Sequence, residues 1–463
     1  MPGNAKLVSG SIRRHLWEQT APMLLGVASI VSVGIVDAYF VGQLGPAPLA
    51  AISFVFPVTL ALTSLGVGVL VGINSVVARA LGAGDSDLAA CRAVQGVALA
   101  GLFGLATAVL LYLLQDPIFA LMGAKGELPA LIEAYMFPFA CGFPFLLMSM
   151  GANGVLRAQG LASDSAIILG TMATANWLLD PLLIAGWGPA PALGIAGAAY
   201  ASAISFVLAG AVGLYLAGRS ALGLHPSMLG RTDWKPGVLA IAKIGGPAAL
   251  SNSINPVGLS ILTALLANFG DATVAAFGVA GRIQTFAVVP LLAMSSAIGA
   301  IVGQNWGAGQ PDRSRLALRE ASLASVIYGL AIAALLVAFR DQAAGIFSDE
   351  PSVIAQIGNY LKIAAWGFAG YGIVIVTNGA LNAVDRATTA MVVSIVRVAA
   401  VMIPAALIGR ALAGETGIYA AELAANLIGA ALSYFIGLRA LSDRASPPAK
   451  SGGAQQADPA PTA

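Results

Sequence analysis

The sequence predicts an all-α integral membrane protein, with twelve transmembrane helices in two six-helix lobes related by a pseudo-twofold axis along the membrane normal. Three observations carry that expectation: a composition too poor in charge for a water-soluble surface, a succession of long apolar runs, and an internal repeat. Of 463 residues, 58% are hydrophobic and 10% charged, where a soluble domain carries about 25% charged residues. The mean hydropathy is +0.86. A formal net charge of +2 gives no reason to expect a nucleic-acid partner. Two cysteines, Cys91 and Cys141, lie in different kinds of segment, and with two histidines the chain has little from which to build a disulfide or a His/Cys metal site.

A spanning helix needs about 20 mostly apolar residues. The first candidate run, 18–42, follows Arg13, Arg14 and His15 as a signal peptide would, but its length and its polar Asp37 and Gln43 beyond mark a retained helix. Runs 48–75, 93–114 and 133–152 follow, separated by Gly/Pro-containing or polar breaks. The next pair, 164–187 and 194–217, completes a first set of six. The second set is 238–265, 272–300, 318–340, 354–380, 388–410 and 416–441. These runs are too long for the short alternating strands of a membrane barrel. The resulting organisation is a cytoplasmic N-terminal segment 1–17, an N-lobe 18–217, a cytoplasmic linker 218–237, a C-lobe 238–441 and a disordered cytoplasmic tail 442–463.

The basic residues set the orientation. Of the 23 Lys and Arg, those in the termini and even-numbered loops number seventeen, among them Arg79, Arg92, Arg157, Arg313 and Arg439. The opposite loops hold Lys125, Arg340 and Arg410, and Arg282, Lys362 and Arg397 lie within helices. This bias predicts that both termini of a multi-pass protein lie in the cytoplasm; the expected location is a bacterial inner membrane.

The repeat has an offset of 225: Pro22 maps to Pro247, Gly45 to Gly270, Tyr135 to Tyr360, Gly142 to Gly367 and Asn153-Gly154 to Asn378-Gly379. Six helices per repeat give two halves of like orientation, with a solute path between them.

Charged side chains at mid-helix cost about 2.5–3.5 kcal/mol on insertion scales, so each needs a reason. Asp37 and Asp180 both stand about two turns before the outer ends of their helices, at matched depth. Asn176 is one turn before Asp180 on the same face, and Pro181 frees the carbonyl of Trp177 beside it. Ser202 lies at comparable depth on the sixth helix. Two carboxylates in a low-dielectric site cannot both be ionised cheaply. The cluster therefore reads as a proton acceptor or as a Na+ cage at Asp37, Asn176 and Asp180, with a polar tie between helices as the plainer alternative. Arg397 and Glu422, at similar depth in the C-lobe, form a possible structural ion pair.

These motifs resemble the multidrug and toxic compound extrusion (MATE) family. The resemblance covers about residues 15–441 and rests on Val36-Asp37-Ala38-Tyr39-Phe40-Val41-Gly42-Gln43-Leu44-Gly45, on Ala78–Asp85, on Asn176-Trp177-Leu178-Leu179-Asp180-Pro181 and on Gly194–Ala199. It implies twelve helices in two bundles and export of drug-like compounds driven by H+ or Na+. Similarity to the DinF-like branch implies a coupling cluster at Asp37, Asn176, Asp180, Ser202 and Tyr135, and a bend-forming proline at Pro22. The NorM-like branch carries further acids in the C-lobe, where this chain has Asn255 and Tyr371.

The expected function is a secondary antiporter, not an enzyme, exporting cationic or amphiphilic small molecules in exchange for H+ or Na+. It needs no cofactor and functions as a monomer in the bilayer. A lipid-linked oligosaccharide flippase of the same superfamily and a major-facilitator transporter are the alternatives. The first is disfavoured by the acidic N-lobe and the twelve helices. The second is disfavoured by the stretch 81–92, which lacks the basic run usual between helices 2 and 3.

Overall fold

A computed structural model describes residues 5–187, 191–230, 233–347 and 349–442. Six helices build the N-lobe: α1 (Ile12–Gly42), α2 (Pro46–Gly82), α3 (Ser86–Leu121), α4 (Leu128–Ala158), α5 (Ala162–Ile184) and α6 (Ile195–Arg219). The C-lobe holds α7 (Trp234–Leu266), α8 (Asp271–Gly307), α9 (Pro311–Ala338), the short α10 (Arg340–Gly345), α11 (Pro351–Ala364), α12 (Gly367–Ala383), α13 (Ala387–Ile395) and α14 (Ile403–Ala440). The expected tail lies outside the described residues from 443 onward.

Helix ends follow local chemistry. Pro46 and Pro311 occupy the first turns of α2 and α9, where a missing N–H costs nothing. The Asp85 side chain caps α3 by accepting from the Leu88 N–H at 2.9 Å.

Among the described residues, ten helices are long and apolar enough to cross a membrane. Two further spans arise from bends. The expected run 354–380 is broken by 59° between α11 and α12. The 54-residue stretch Ala387–Ala440 would extend about 80 Å as one helix, against a hydrocarbon core of about 30 Å. It is instead divided at Ala413 and Gly414, whose backbone leaves helical geometry, with Gly414 at φ 62°. The chain reverses there so tightly that a Cβ on Gly409 would lie 2.4 Å from the Gly417 carbonyl oxygen. Only glycine permits that approach. The stretch is thus two spans, which brings the total to twelve. The first contains a π-helical turn, Val396–Met402.

The cores show how the lobes meet. On the side away from the termini each lobe has its own apolar core. One is centred on Met136, Phe143 and Leu147, the other on Leu262, Tyr360 and Tyr419. On the side of the termini the cores cross the boundary. Ile241 and Ile244 of α7 pack among N-lobe residues, while Leu7, Ile12 and Leu16 pack among C-lobe residues. Among the described residues, the hydrogen bonds that join the lobes lie in this half or at mid-depth. Ser75 donates to the carbonyls of Asn382 and Ala383 at 2.8 and 3.2 Å. Gln304 donates to the Ala158 carbonyl at 2.7 Å and accepts from the Leu7 N–H at 3.0 Å. At mid-depth Asn252 donates to the Ser64 hydroxyl at 3.3 Å. The molecule is closed on the side of its termini and divided on the other.

Candidate functional site: an acid pair beside an inter-lobe cavity

The five residues expected to form the N-lobe cluster come together. Asp180 is fully buried, Asn176 1% exposed, Ser202 7% and Tyr135 8%, while Asp37 is half-buried. The two carboxyls are within side-chain hydrogen-bonding reach of each other. With its NH2 turned toward the acids, the Asn176 amide donates to Asp37 Oδ1 and to Asp180 Oδ2, each at 3.2 Å. The other end of that amide is 3.4 Å from the Ser202 hydroxyl. Asp180 Oδ1 is buried with no hydrogen-bond partner, so an acceptor remains for a cation or proton. Tyr135 stacks on Phe139 with ring centroids 6.1 Å apart and stands within electrostatic range of both acids.

Distances rank these groups. Asn176 donates to both acids, so Asn176→Ala is expected to destabilise the protein by about 1.5–3 kcal/mol, as for a hydrogen bond to a charged group. The contact at Ser202 is long at 3.4 Å, so Ser202→Ala should cost less than about 1 kcal/mol. Thermal unfolding of the two purified variants compares them.

Between the lobes lies a cavity of about 500 Å³. The acid pair does not line it. Helical periodicity explains the offset. Ile30, Met172 and Phe206 are on the cavity wall. Asp37 is two turns beyond Ile30, Asn176 and Asp180 are one and two turns beyond Met172, and Ser202 is one turn from Phe206. The same faces of α1, α5 and α6 thus carry the cavity wall and, farther out, the acid pair. Pro22 lies inside α1, where it removes one helix hydrogen bond nearer the termini.

The expected Arg397–Glu422 ion pair does not form. Arg397 donates to Asn426 Oδ1 at 2.8 Å and to Asn255 Oδ1 at 2.6 Å, and its guanidinium lies 5.1 Å from the Tyr371 ring centroid. Glu422 instead accepts from the Tyr360 hydroxyl at 3.0 Å and from Gln284 at 3.3 Å. The physical reason is the π-helical turn that carries Arg397, which presents its side chain to the cavity wall.

Arg157, counted in the sequence as an orientation signal, is in the last turn of α4 and lines the cavity. It donates across the lobes to the Ser296 hydroxyl at 2.9 Å and within its own lobe to Ser165 at 3.2 Å. The repeat-related Asn153 and Asn378 also line the cavity. Each donates to the next helix, to the Ser165 carbonyl at 3.1 Å and the Ser394 hydroxyl at 3.1 Å. Their recurrence at the repeat offset was the signal that could have marked them as wall residues. Asn255 and Tyr371, at the positions where the NorM-like branch is acidic, line it as well.

A family model described as MatE matches residues 22–182 and 247–408, two segments that begin at the same repeat-related prolines. An FAD transporter of Shewanella oneidensis is 32% identical over 440 residues, covering 94% of this chain and 96% of that protein. The multidrug export protein MepA of Staphylococcus saprophyticus is 25% identical over 439 residues, covering 94% and 95%. The crystal structure of the Vibrio cholerae MATE transporter VcmN in the bent form superposes with a TM-score of 0.87 at 28% identity, covering 93% of this chain and 98% of that one.

Proposed function

Because the chain belongs to the MATE family of membrane transporters, we propose that it is a secondary antiporter exporting small organic solutes in exchange for H+ or Na+. The observation that carries the reading is the buried pair Asp37–Asp180, held by Asn176 on the helix faces that continue into the inter-lobe cavity. The DinF-like placement draws on the same N-lobe acids, together with Asn255 and Tyr371 where C-lobe acids would stand.

The chain acts as a monomer in a bacterial inner membrane, with its termini in the cytoplasm, a reading supported by the distribution of basic residues. The described conformation, closed on the side of the termini, is then outward-facing. A proton or Na+ reaches the acid pair from outside and neutralises it. The packing of α1 around Pro22 and along Ile30 changes, and cargo leaves. Cargo loads in the opposite state, with the acids charged. Exchange requires that cation and cargo prefer different states, since equal affinity for both shifts nothing.

The cargo expected from sequence, cationic or amphiphilic and drug-like, is supported in its amphiphilic half by the apolar and aromatic residues of the wall, including Met172, Phe206 and Tyr371. The names of the relatives span multidrug export and FAD transport.

The test is reconstitution in liposomes under an imposed pH or Na+ gradient, followed with FAD and with a cationic dye. Transport that follows one gradient and stops when it is dissipated supports the proposal. Movement of either solute indifferent to both gradients overturns it.

A further inference from the structure

The wall of the inter-lobe cavity carries two cations and no carboxylate. Arg157 belongs to the N-lobe, Arg397 to the C-lobe, and neither has a carboxylate within ion-pairing distance among the described residues. Glu422, the acid closest in role, is committed to Tyr360 and Gln284. Arg397 is only 3% exposed, and its Nε is buried without a hydrogen-bond partner. A guanidinium without a carboxylate in contact is costly in a membrane interior. Glu422 acts on it only from beyond ion-pairing distance, and the neutral amides around it supply no counter-charge.

Three amide oxygens on the same wall, those of Asn74, Asn378 and Asn382, are also buried without partners. They call for N–H or O–H donors on the ligand. Tyr371, already beneath the Arg397 guanidinium, offers a ring for a flat group.

The geometry points to an organic anion rich in hydrogen-bond donors, of the phosphorylated nucleoside class, as the cargo of this cavity. Its anionic oxygens are received by Arg157 and Arg397 and its N–H and O–H groups by Asn74, Asn378 and Asn382. Guanidinium suits phosphate oxygens through its planar set of donors. The assignment deepens the antiporter reading and rests on it, but its recognition groups are separate from the acid pair.

The test uses the purified full-length chain and fluorescence anisotropy with three probes: etheno-ADP, its neutral nucleoside ethenoadenosine, and cationic ethidium. Etheno-ADP is expected to bind about tenfold or more tightly than the nucleoside, with the advantage shrinking at high salt. Arg157→Gln and Arg397→Gln should each remove most of that advantage. Arg397→Lys, which keeps the charge and loses the fork, should retain part of it. Equal binding of nucleotide and nucleoside to the unmodified protein overturns the assignment without reliance on any variant. So does preferential binding of ethidium. If ethidium is driven by a gradient while etheno-ADP does not bind, this inference falls and the antiporter stands. If etheno-ADP binds as described but no solute responds to either gradient, the antiporter reading falls and the anion site stands.

Discussion

Asp37→Asn and Asp180→Asn are each expected to yield a folded transporter whose cargo flux no longer follows an imposed cation gradient. Asparagine keeps the shape of the carboxyl and removes the group that gains and loses charge. Asn176 then faces an amide where it now donates to a carboxylate at 3.2 Å. Gradient-driven flux should fall by more than about tenfold, equivalent to about 1.4 kcal/mol or more of lost coupling. The two single variants and the double variant should be similarly defective, because the acids act as one unit. Initial rates in liposomes, with the gradient imposed and then collapsed, provide the measurement. Full gradient-driven flux in both single variants would remove the acid pair from the mechanism.

Gly82→Val and Gly307→Val are expected to prevent closure on the side of the termini. A Cβ on Gly82 would stand 2.0 Å from the Gln304 carbonyl oxygen, and one on Gly307 would stand 2.2 Å from that of Arg79. Both pairs are the same contact seen twice, since 82 maps to 307 and 79 to 304 at the repeat offset. The obstructing atoms are backbone, so no side chain can turn aside. Overpacking of this kind costs about 1–3 kcal/mol, enough to shift a two-state equilibrium about 5- to 150-fold. Ser75, which closes against Asn382 and Ala383 beneath the cavity, gives the readout. In a background lacking Cys91 and Cys141, a thiol at position 75 should react about tenfold faster from the side of the termini when either valine is present, and transport should fall with it. An unchanged labelling rate would mean that closure does not depend on this contact.

Much of the candidate site was legible because charge is scarce. Against long apolar runs, Asp37 and Asp180 stand at matched depth, and helical spacing puts Asn176 beside Asp180. The structure brings these three together as expected, with Tyr135 near and Ser202 at a longer distance. The C-lobe reading failed for a reason that composition does not carry. Equal depth does not make a pair: Arg397 sits on a π-helical turn and Glu422 faces Tyr360. Arg157 was misplaced for a related reason, since a basic residue near a helix end reads as an orientation signal whichever way its side chain is turned.

Hydropathy, the placement of basic residues and the 225-residue repeat determine by themselves the twelve spans, their likeness across two halves and the expected orientation. These are one-dimensional properties, because the bilayer sorts side chains by depth and depth follows from position along a helix. Azimuth around each helix and the approach of one lobe to the other depend on packing at Gly82 and Gly307, on the reversal at Gly414 and on the turn at 396–402. Only the tertiary structure decided that the acids lie farther out than the cavity and that Arg157 and Arg397 line it. Those facts are set by which faces of distant helices meet, and no local spacing records that.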